Sequence, residues 1–233
     1  MPMNQHFVII VAAGTGTRLG GDLPKQYQLL ADKPILMQTI LKFSTSQIHP
    51  KIIVVLAKGM EALWDELCQK HQFELEHYSC VGGSSRFQSV KNALIYIQEQ
   101  FKITKDTKIA VHDAARPLIT SQLIDQLYST CDSSRPAVIP AVASSNSIRI
   151  GDQHNSRAID RNQVWQIQTP QTFLGELLME AYQQEEDLLF TDDASVVEKM
   201  SNIIHLIPGE NHNLKITYEE DLIIAHYLFN KFS

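Results

Sequence analysis

The chain has 233 residues, of which 44% are hydrophobic and 20% are charged, and its formal net charge at pH 7 is −6. This composition is typical of a globular protein with a sizeable core and excludes a disordered chain. The negative charge excludes a general nucleic-acid binder, because the phosphate backbone requires clustered lysine and arginine. We therefore expect a single domain over residues 1–233 that binds a small ligand, which can be an anion because a pocket concentrates cations locally.

The cysteines and the N-terminal segment favour a cytoplasmic protein. Cys68, Cys80 and Cys131 are odd in number and form no C-x-x-C pair, so we expect buried, reduced thiols without a metal or catalytic role. The apolar run at 7–11 is five residues long and follows no basic region. It is too short for a signal peptide or a membrane span, so no membrane partner is expected.

Apolar runs alternate with helical patterns along the chain. Buried strands are predicted at 7–12, 52–56, 108–111, 137–139 and 203–207. Helices are predicted at 36–43, 60–71, 84–98 and 121–131. This alternation predicts an α/β fold with right-handed crossovers and a mostly parallel, twisted sheet covered by helices on both faces. The ligand crevice is then expected beyond the carboxyl ends of the strands.

Residues 144–165 depart from this alternation. Two short alternating segments, 147–150 and 156–159, flank a turn-like sequence from Gly151 to Asn155. The pattern predicts a protruding β-hairpin arm. Because an arm with few apolar residues is marginally stable alone, we expect it to pack on another subunit as a dimerisation arm.

A glycine-rich loop follows the first predicted strand, at 11–20, and Lys25 follows closely after it. Glycines after a buried strand let the backbone approach a phosphate, and successive N–H groups form an anion-binding nest. The loop matches neither a P-loop, since no G-K-[ST] closes it, nor the dinucleotide pattern G-x-G-x-x-G. A turn that merely connects strand to helix is the alternative, but the charges of Arg18 and Lys25 favour phosphate binding.

A second glycine motif, at 81–90, places two glycines and a serine before a predicted helix. The N-terminus of such a helix offers a positive dipole and free N–H donors to a base or ribose. The alternative is an ordinary capped helix on which Arg86 faces solvent. Taken alone, the motif favours this alternative because helix caps are common.

Polar residues also follow the strand predicted at 108–111. Asp113 could accept hydroxyl groups or help to hold a metal, and Arg116 could grip a phosphate, although the two could instead form an ion pair. His112 is interpreted as structural. Weaker polar loops lie further along the chain, including one in which Asp192 and Asp193 could simply cap a helix. These loops are at 159–162, 168–171, 191–195 and 213–217.

Together the motifs resemble the 2-C-methyl-D-erythritol 4-phosphate cytidylyltransferase family of the non-mevalonate isoprenoid pathway, over roughly residues 7–228. The resemblance implies a Rossmann-like nucleotidyltransferase fold, CTP and methylerythritol phosphate as substrates, Mg²⁺ held mainly by the CTP phosphates, and a homodimer that exchanges its arms. One departure is Gln163-Val164-Trp165, where the family often has glycine and an aromatic residue. The motifs that carry the resemblance are 12–18, 24–26, Gly82 and Gly83 with Arg86 and Ser89, 112–117, 169–171 and Lys215.

The resemblance also implies roles for single residues. The residues expected around CTP are Ala12, Ala13, Gly14, Gly16, Gly82, Gly83, Arg86, Ser89 and Ala114. Those expected at the acceptor are Asp113, Arg116, Thr169 and Thr191, joined by Arg161 of the neighbouring subunit. The catalytic cations are expected to be Lys25 and Lys215 at the α-phosphate and Arg18 at the β- and γ-phosphates.

Other functions fit parts of this pattern. A ribitol 5-phosphate cytidylyltransferase shares the glycine-rich loop and the His-Asp-Ala segment, but Ala115 and the run at 160–162 favour methylerythritol phosphate. A sugar-1-phosphate nucleotidyltransferase is expected to be longer. A nucleotide-sensing module without catalysis would not need Lys25, Asp113 and Lys215.

Overall fold

The computed structural model describes residues 5–14 and 23–232. Its strands are β1 (Phe7–Ala12), β2 (Leu29–Leu30), β3 (Lys33–Pro34), β4 (Lys51–Leu56), β5 (Tyr78–Val81), β6 (Lys108–Asp113), β7 (Ala137–Ala143), β8 (Ile148–Gly151), β9 (Ser156–Ile159), β10 (Trp165–Ile167), β11 (Gln171–Leu174) and β12 (His205–Pro208). Its α-helices are α1 (Ile35–Ser44), α2 (Glu61–Lys70), α3 (Arg86–Gln100), α4 (Ser121–Thr130), α5 (Gly175–Ala181), α6 (Asp193–Glu198) and α7 (Glu219–Phe232).

A mixed sheet of eight strands organises the molecule. Its centre is parallel: β1 pairs with both β4 and β6, and β5 continues beyond β4. β11 runs antiparallel between β6 and β7, while β12 pairs parallel and β10 antiparallel with β7. Because the chain moves from β1 to β4 and β5, and returns to β6 on the other side, a topological switch point lies between β1 and β6.

The two faces of the sheet bury two separate apolar clusters. Val8 and Ile10 of β1 face the helices α1, α2 and α4, and Phe7 and Ile9 face α3, α5 and α6. This alternation follows from the two-residue period of a strand, which sends successive side chains to opposite faces. The predicted α/β fold, with helices on both faces of a mostly parallel sheet, is confirmed.

The predicted elements are present, with small shifts at their ends. α3 begins two residues after its predicted start because Ser85 is the N-cap, whose Oγ accepts from the Gln88 N–H. β12 begins at His205 rather than at 203, where Ile203 is 73% exposed. The sequence pattern does not predict β2, β3, β5, β10, β11, α5 or α7.

A third, smaller cluster joins α7 and the β2–β3 hairpin to the segment after β6. Ile216 lies in this cluster with Ala115 and Ala225, and all three are buried. The Ile216 N–H also donates to the Ala115 carbonyl, at 2.8 Å. This packing holds the residue before Ile216, Lys215, beside the end of β6.

The predicted hairpin arm is present as a separate two-stranded sheet of β8 and β9. Gly151 turns the chain with a φ of +136°, and a Cβ there would lie 2.1 Å from the Asn155 carbonyl oxygen. The turn therefore requires glycine. Most residues of the two strands are exposed, including the hydrophobic residue Ile150.

Within the described ranges, none of the helices combines the length and the apolar character needed to cross a bilayer.

Candidate active site

A cavity of about 560 Å³ opens at the carboxyl ends of β1 and β6, beside the N-terminus of α3. This is the crevice position expected at a topological switch point of an open sheet. It brings together residues from four distant parts of the chain. The predicted site residues that line it are Ala12, Ala13, Gly14, Lys25, Gly83, Arg86, Ser89, Asp113, Ala114 and Lys215.

The remaining predicted residues lie elsewhere. Gly16 and Arg18 are outside the described residues. Gly82, Arg116 and Thr169 do not line the cavity, but each contacts a residue that does: Gly82 packs on Ala13, and Arg116 and Thr169 contact Asp113. Thr191 and Arg161 are exposed and do not line the cavity of their own chain, and Arg161 donates from Nη1 to the Ser145 carbonyl, at 3.2 Å.

Lys25 begins a short 3₁₀ helix, Lys25–Tyr27, which contacts the residues that end and follow β1. Its neighbour Gln26 is buried, and the side-chain amide donates to the carbonyls of Ala12 and Gly14, at 2.8 and 2.9 Å. Lys25 itself donates from Nζ to the Ile216 carbonyl, at 2.8 Å and across 191 sequence positions. The contact brings the ammonium group of Lys25 next to the segment that carries Lys215.

Asp113, the last residue of β6, is surrounded by cations. Lys215 Nζ lies 2.9 Å from its Oδ2, Arg116 Nε lies 3.5 Å from the same oxygen, and Arg86 Nε lies 3.9 Å from Oδ1. Burial alone would raise the pKa of Asp113, but Lys215, Arg86 and Arg116 hold it well below its ordinary value. Asp113 is therefore ionised at any physiological pH, and its charge fixes the position of Lys215.

His112 supports this arrangement from behind. Its Nε2 lies 3.1 Å from the Arg116 carbonyl, which can only accept, so Nε2 carries the proton. Its Nδ1 then accepts from the Thr169 hydroxyl at 3.0 Å, and that hydroxyl accepts from the Asp113 N–H at 3.0 Å. Burial lowers the pKa of His112 to about 4. His112 is thus a neutral, structural residue, in agreement with its interpretation from the sequence.

The loop before α3 is packed closely against the loop after β1. A Cβ on Gly82 would lie 2.6 Å from the Ala13 Cβ and 2.8 Å from the Ser89 Oγ. The Ser89 hydroxyl accepts from the Gly83 N–H and donates to the Ser85 carbonyl, so it holds the loop in shape. Gly14 differs, since a Cβ there would meet no atom of the described residues within 4 Å. The described part of the chain therefore leaves the space beside Gly14 free for a ligand.

The cavity is positively charged and suits a polyanion. Among the described lining residues, the charged side chains are Lys25, Arg86 and Lys215 against Asp113. The first turn of α3 adds the positive end of the helix dipole. In the part of the chain that the structure describes, no group of three or more His, Cys, Asp or Glu side chains could hold a metal ion.

Sequence comparison agrees with this geometry. The profile of the family described as IspD, 2-C-methyl-D-erythritol 4-phosphate cytidylyltransferase, matches residues 6–231. The chain belongs to this family.

Relatives in the cytidylyltransferase family match nearly the whole chain. A protein of that name from Phocaeicola vulgatus is 41% identical over 226 residues, which cover 97% of this chain and 100% of the relative. Another, from Azobacteroides pseudotrichonymphae, is 40% identical over 229 residues, which cover 98% and 100%. The crystal structure of the Francisella tularensis 2-C-methyl-D-erythritol 4-phosphate cytidylyltransferase has a TM-score of 0.76 at 30% identity and covers 96% of this chain and 99% of its own. The family resemblance predicted from the motifs is confirmed.

The sequence motifs of the cytidylyltransferase family did not single out every residue that builds this cavity. Asp192 does cap α6, as considered above, but Asp193 begins the helix and pairs with Arg86, across 107 positions. Tyr182 carries no local signal and also contacts Asp193. Gln26 lies in the family motif at 24–26, but the motif alone does not indicate that its side chain holds the residues after β1. Contacts of such sequence separation leave no periodic pattern in a single sequence.

Proposed function

We propose that this protein transfers CMP from CTP to 2-C-methyl-D-erythritol 4-phosphate and releases pyrophosphate, in the synthesis of isoprenoid precursors. The observation that carries the proposal is the convergence of Lys25 and Lys215 on one cavity at the ends of β1 and β6. Membership of the cytidylyltransferase family supports the identity of both substrates.

In the proposed reaction, a phosphate oxygen of the acceptor attacks the α-phosphorus of CTP. A new bond forms between that oxygen and phosphorus, while the bond from phosphorus to the pyrophosphate oxygen breaks. The nucleophile is already anionic, so the reaction needs no general base, and the neutral, enclosed His112 fits that requirement. The work of the protein is to hold two polyanions together and to neutralise the charge that develops.

We assign this neutralisation to Lys25 and Lys215 at the α-phosphate. The ion pair with Asp113 Oδ2 orients Lys215, and the hydrogen bond to the Ile216 carbonyl orients Lys25. Both ammonium groups are thus oriented before the substrates bind, which is the condition under which such charges accelerate a reaction most. Arg18 is assigned to the β- and γ-phosphates from the family motif alone.

The nucleotide is proposed to lie along the first turn of α3, against Gly14 and Gly83, where the helix dipole and the N–H groups favour an anion. The acceptor is proposed to lie on the side of Asp113, Arg116 and Thr169. Thr191 is proposed to close that side. Opposite placement of the two substrates would present the acceptor phosphate to the α-phosphorus in line with the leaving group.

Mg²⁺ belongs to this proposal as an ion carried by the triphosphate. Asp113 is the one carboxylate among the described lining residues, and Lys215 and Arg116 already pair with it. The donor set therefore fits an ion whose main ligands are phosphate oxygens, with at most one oxygen from Asp113. Bound there, Mg²⁺ would neutralise part of the charge of the triphosphate.

We also propose a cytoplasmic homodimer in which each arm completes the site of the other subunit. Trp165 and Ile150 of the arm region are 47% and 51% exposed, and a second copy would cover them. Arg161 does not line its own cavity and would reach the partner's acceptor phosphate. The cysteines Cys68, Cys80 and Cys131 are free thiols, which fits the reducing cytoplasm.

Pyrophosphate release tests the proposal. With CTP, Mg²⁺ and methylerythritol phosphate we expect steady release, and we expect much slower release when ribitol 5-phosphate replaces the acceptor or when ATP, GTP or UTP replaces CTP. Faster release with ribitol 5-phosphate would reassign the acceptor. Release in the absence of any acceptor would indicate a hydrolase instead.

A further inference from the structure

Arg86 lines the cavity that we propose binds the triphosphate, but its guanidinium group is bound to a buried carboxylate behind the cavity wall. Its two terminal nitrogens both donate to Asp193, with Nη1 2.9 Å from Oδ1 and Nη2 2.6 Å from Oδ2. This is the bidentate fork that arginine otherwise offers to a phosphate. The fork edge is therefore occupied, and Nε is the nitrogen that approaches Asp113, at 3.9 Å.

Asp193 is fully buried and is held from two further directions. The Tyr182 hydroxyl donates to its Oδ1 at 2.6 Å. Gln171 of β11 grips the residues on both sides: its Nε2 donates to Asp192 Oδ2, and its Oε1 accepts from the Ala194 N–H, each at 2.8 Å. The residues on both sides of Asp193 are thus anchored to the central sheet, and its carboxylate is held by Tyr182, independently of Arg86.

The two residues that follow Arg86 in the first turn of α3, Phe87 and Gln88, also pack on the segment 182–193. The Phe87 ring stacks on Tyr182, with centroids 4.7 Å apart, and on Phe190, at 5.6 Å. The Gln88 amide donates to Glu186. The position of this turn, which forms one wall of the cavity, therefore depends on the segment 182–193.

Asp113 would be the alternative partner of Arg86. If Asp193 lost its charge, the nearest carboxylate to the guanidinium fork would be Asp113, where Lys215 is bound at 2.9 Å. Arg86 would then compete with Lys215 for the same carboxylate, because both cations gain most from an ionised partner at short range. With both terminal nitrogens bound to Asp193, Arg86 approaches Asp113 only through Nε at 3.9 Å, and Lys215 keeps the shorter contact.

We propose that Asp193 is a positioning residue that acts through Arg86, with Tyr182 as its support. It fixes the first turn of α3 for the nucleotide and keeps the terminal nitrogens of Arg86 from competing with Lys215 for Asp113. This inference rests on the proposed function, since it assigns Arg86 to the wall that receives CTP. It differs from a purely structural role because its effect requires Arg86 to be present.

A double-mutant cycle with Asp193→Asn and Arg86→Gln tests this dependence. Calorimetric titration with CTP should give about tenfold weaker binding for Asp193→Asn, the scale of one lost charge-assisted hydrogen bond. In the Arg86→Gln background the same substitution should weaken binding no further. The control is Asp132→Asn, which neutralises a partly exposed carboxylate that pairs with Arg135 outside the cavity, and it should leave CTP affinity unchanged.

Tyr182→Phe provides a second variant that leaves both charges in place. It removes one hydrogen bond to Asp193 and should weaken CTP binding in the same direction by a smaller factor. Unchanged CTP affinity in Asp193→Asn and Tyr182→Phe, or independent losses from Asp193→Asn and Arg86→Gln, would overturn the inference and leave the proposed function standing. Failure of the unmodified protein to bind CTP would overturn both.

Discussion

The cavity and the arm of this protein are built in contrasting ways. The cavity is assembled from buried groups that satisfy one another within one chain: Asp113 orients Lys215, and His112 and Thr169 support Asp113 from behind. The arm of β8 and β9 is a two-stranded sheet whose residues are mostly exposed. Its cation Arg161 donates to a carbonyl of its own segment rather than to a group in the cavity.

This difference separates what one chain completes from what we propose it leaves to a second copy. Buried polar groups must find partners, so the cavity is shaped before any ligand binds. A hairpin without a core of its own is marginally stable in water, so the arm needs a surface to cover it. The predictions below change one of the two regions at a time.

The largest effect is expected at the centre of the cavity. Lys25→Ala removes one preoriented cation and should lower the rate by ~10²- to 10³-fold, on the scale of a lost transition-state donor. Steady-state pyrophosphate release measures the rate, and thermal unfolding should show a folded protein. The matched control is Lys33→Ala, which removes a lysine that pairs with Asp32 outside the cavity. Normal turnover by the Lys25 variant would contradict the assignment.

The arm is tested by mixing inactive subunits. Chains carrying Lys25→Ala and chains carrying Arg161→Ala should each be nearly inactive, yet a hybrid dimer would contain one intact site. Random exchange at equal amounts should restore roughly one quarter of the wild-type sites, as expected for a symmetric dimer. The activity of each variant alone, after the same mixing treatment, is the control. Absence of any rescue would count against arm exchange.

Two glycines of the cavity should respond differently to the same change. Gly82→Ala would press a Cβ against Ala13 and Ser89, and should destabilise the protein by about 1–3 kcal/mol, the usual cost of overpacking. In Gly14→Ala the new Cβ meets no atom of the described residues, so the melting temperature should be unchanged while CTP binds less tightly. Equal loss of stability in both variants would mean that the space beside Gly14 is not reserved for a ligand.

The last expected effect is a pH dependence of stability. His112 is buried and neutral, and its pKa falls from 6.5 to about 4 on folding. Between these pH values His112 binds a proton in the unfolded chain but not in the folded chain. The stability of the folded protein therefore decreases as the pH falls from 6.5 to 4. The expected slope is about 1.4 kcal/mol per pH unit, or about 3 kcal/mol over the interval.

Denaturant unfolding at several pH values checks this slope. The difference in unfolding free energy between the wild type and His112→Gln should be largest at and above pH 6.5, and should shrink toward pH 4. A difference that stays constant across the interval would mean that His112 titrates equally in both states.

Much of this account was accessible from the sequence because it depends on local patterns. The strand runs and the amphipathic helices are short-range signals, and they predicted the α/β fold and the crevice at the ends of β1 and β6. The glycine motifs and the cations Lys25 and Lys215 were identified because family motifs preserve their order and spacing.

Other features depend on partners that are distant in the chain. The role of Asp193 could not be predicted, because an aspartate at the start of α6 is also typical of a helix N-cap, and Arg86 lies 107 positions away. β11 was missed because its four residues include two polar ones that are buried, Gln171 and Thr172. Burial of polar groups follows from tertiary partners and has no periodic signature.

Phosphorus NMR of a reaction containing CTP, Mg²⁺ and methylerythritol phosphate tests the central claim most directly. Transfer of CMP predicts the loss of the triphosphate signals, the appearance of free pyrophosphate, and a new diphosphate in which the α-phosphorus of CTP is coupled to the acceptor's phosphorus. Inorganic phosphate in place of pyrophosphate, or a methylerythritol phosphate signal that stays unchanged while CTP is consumed, would contradict the account.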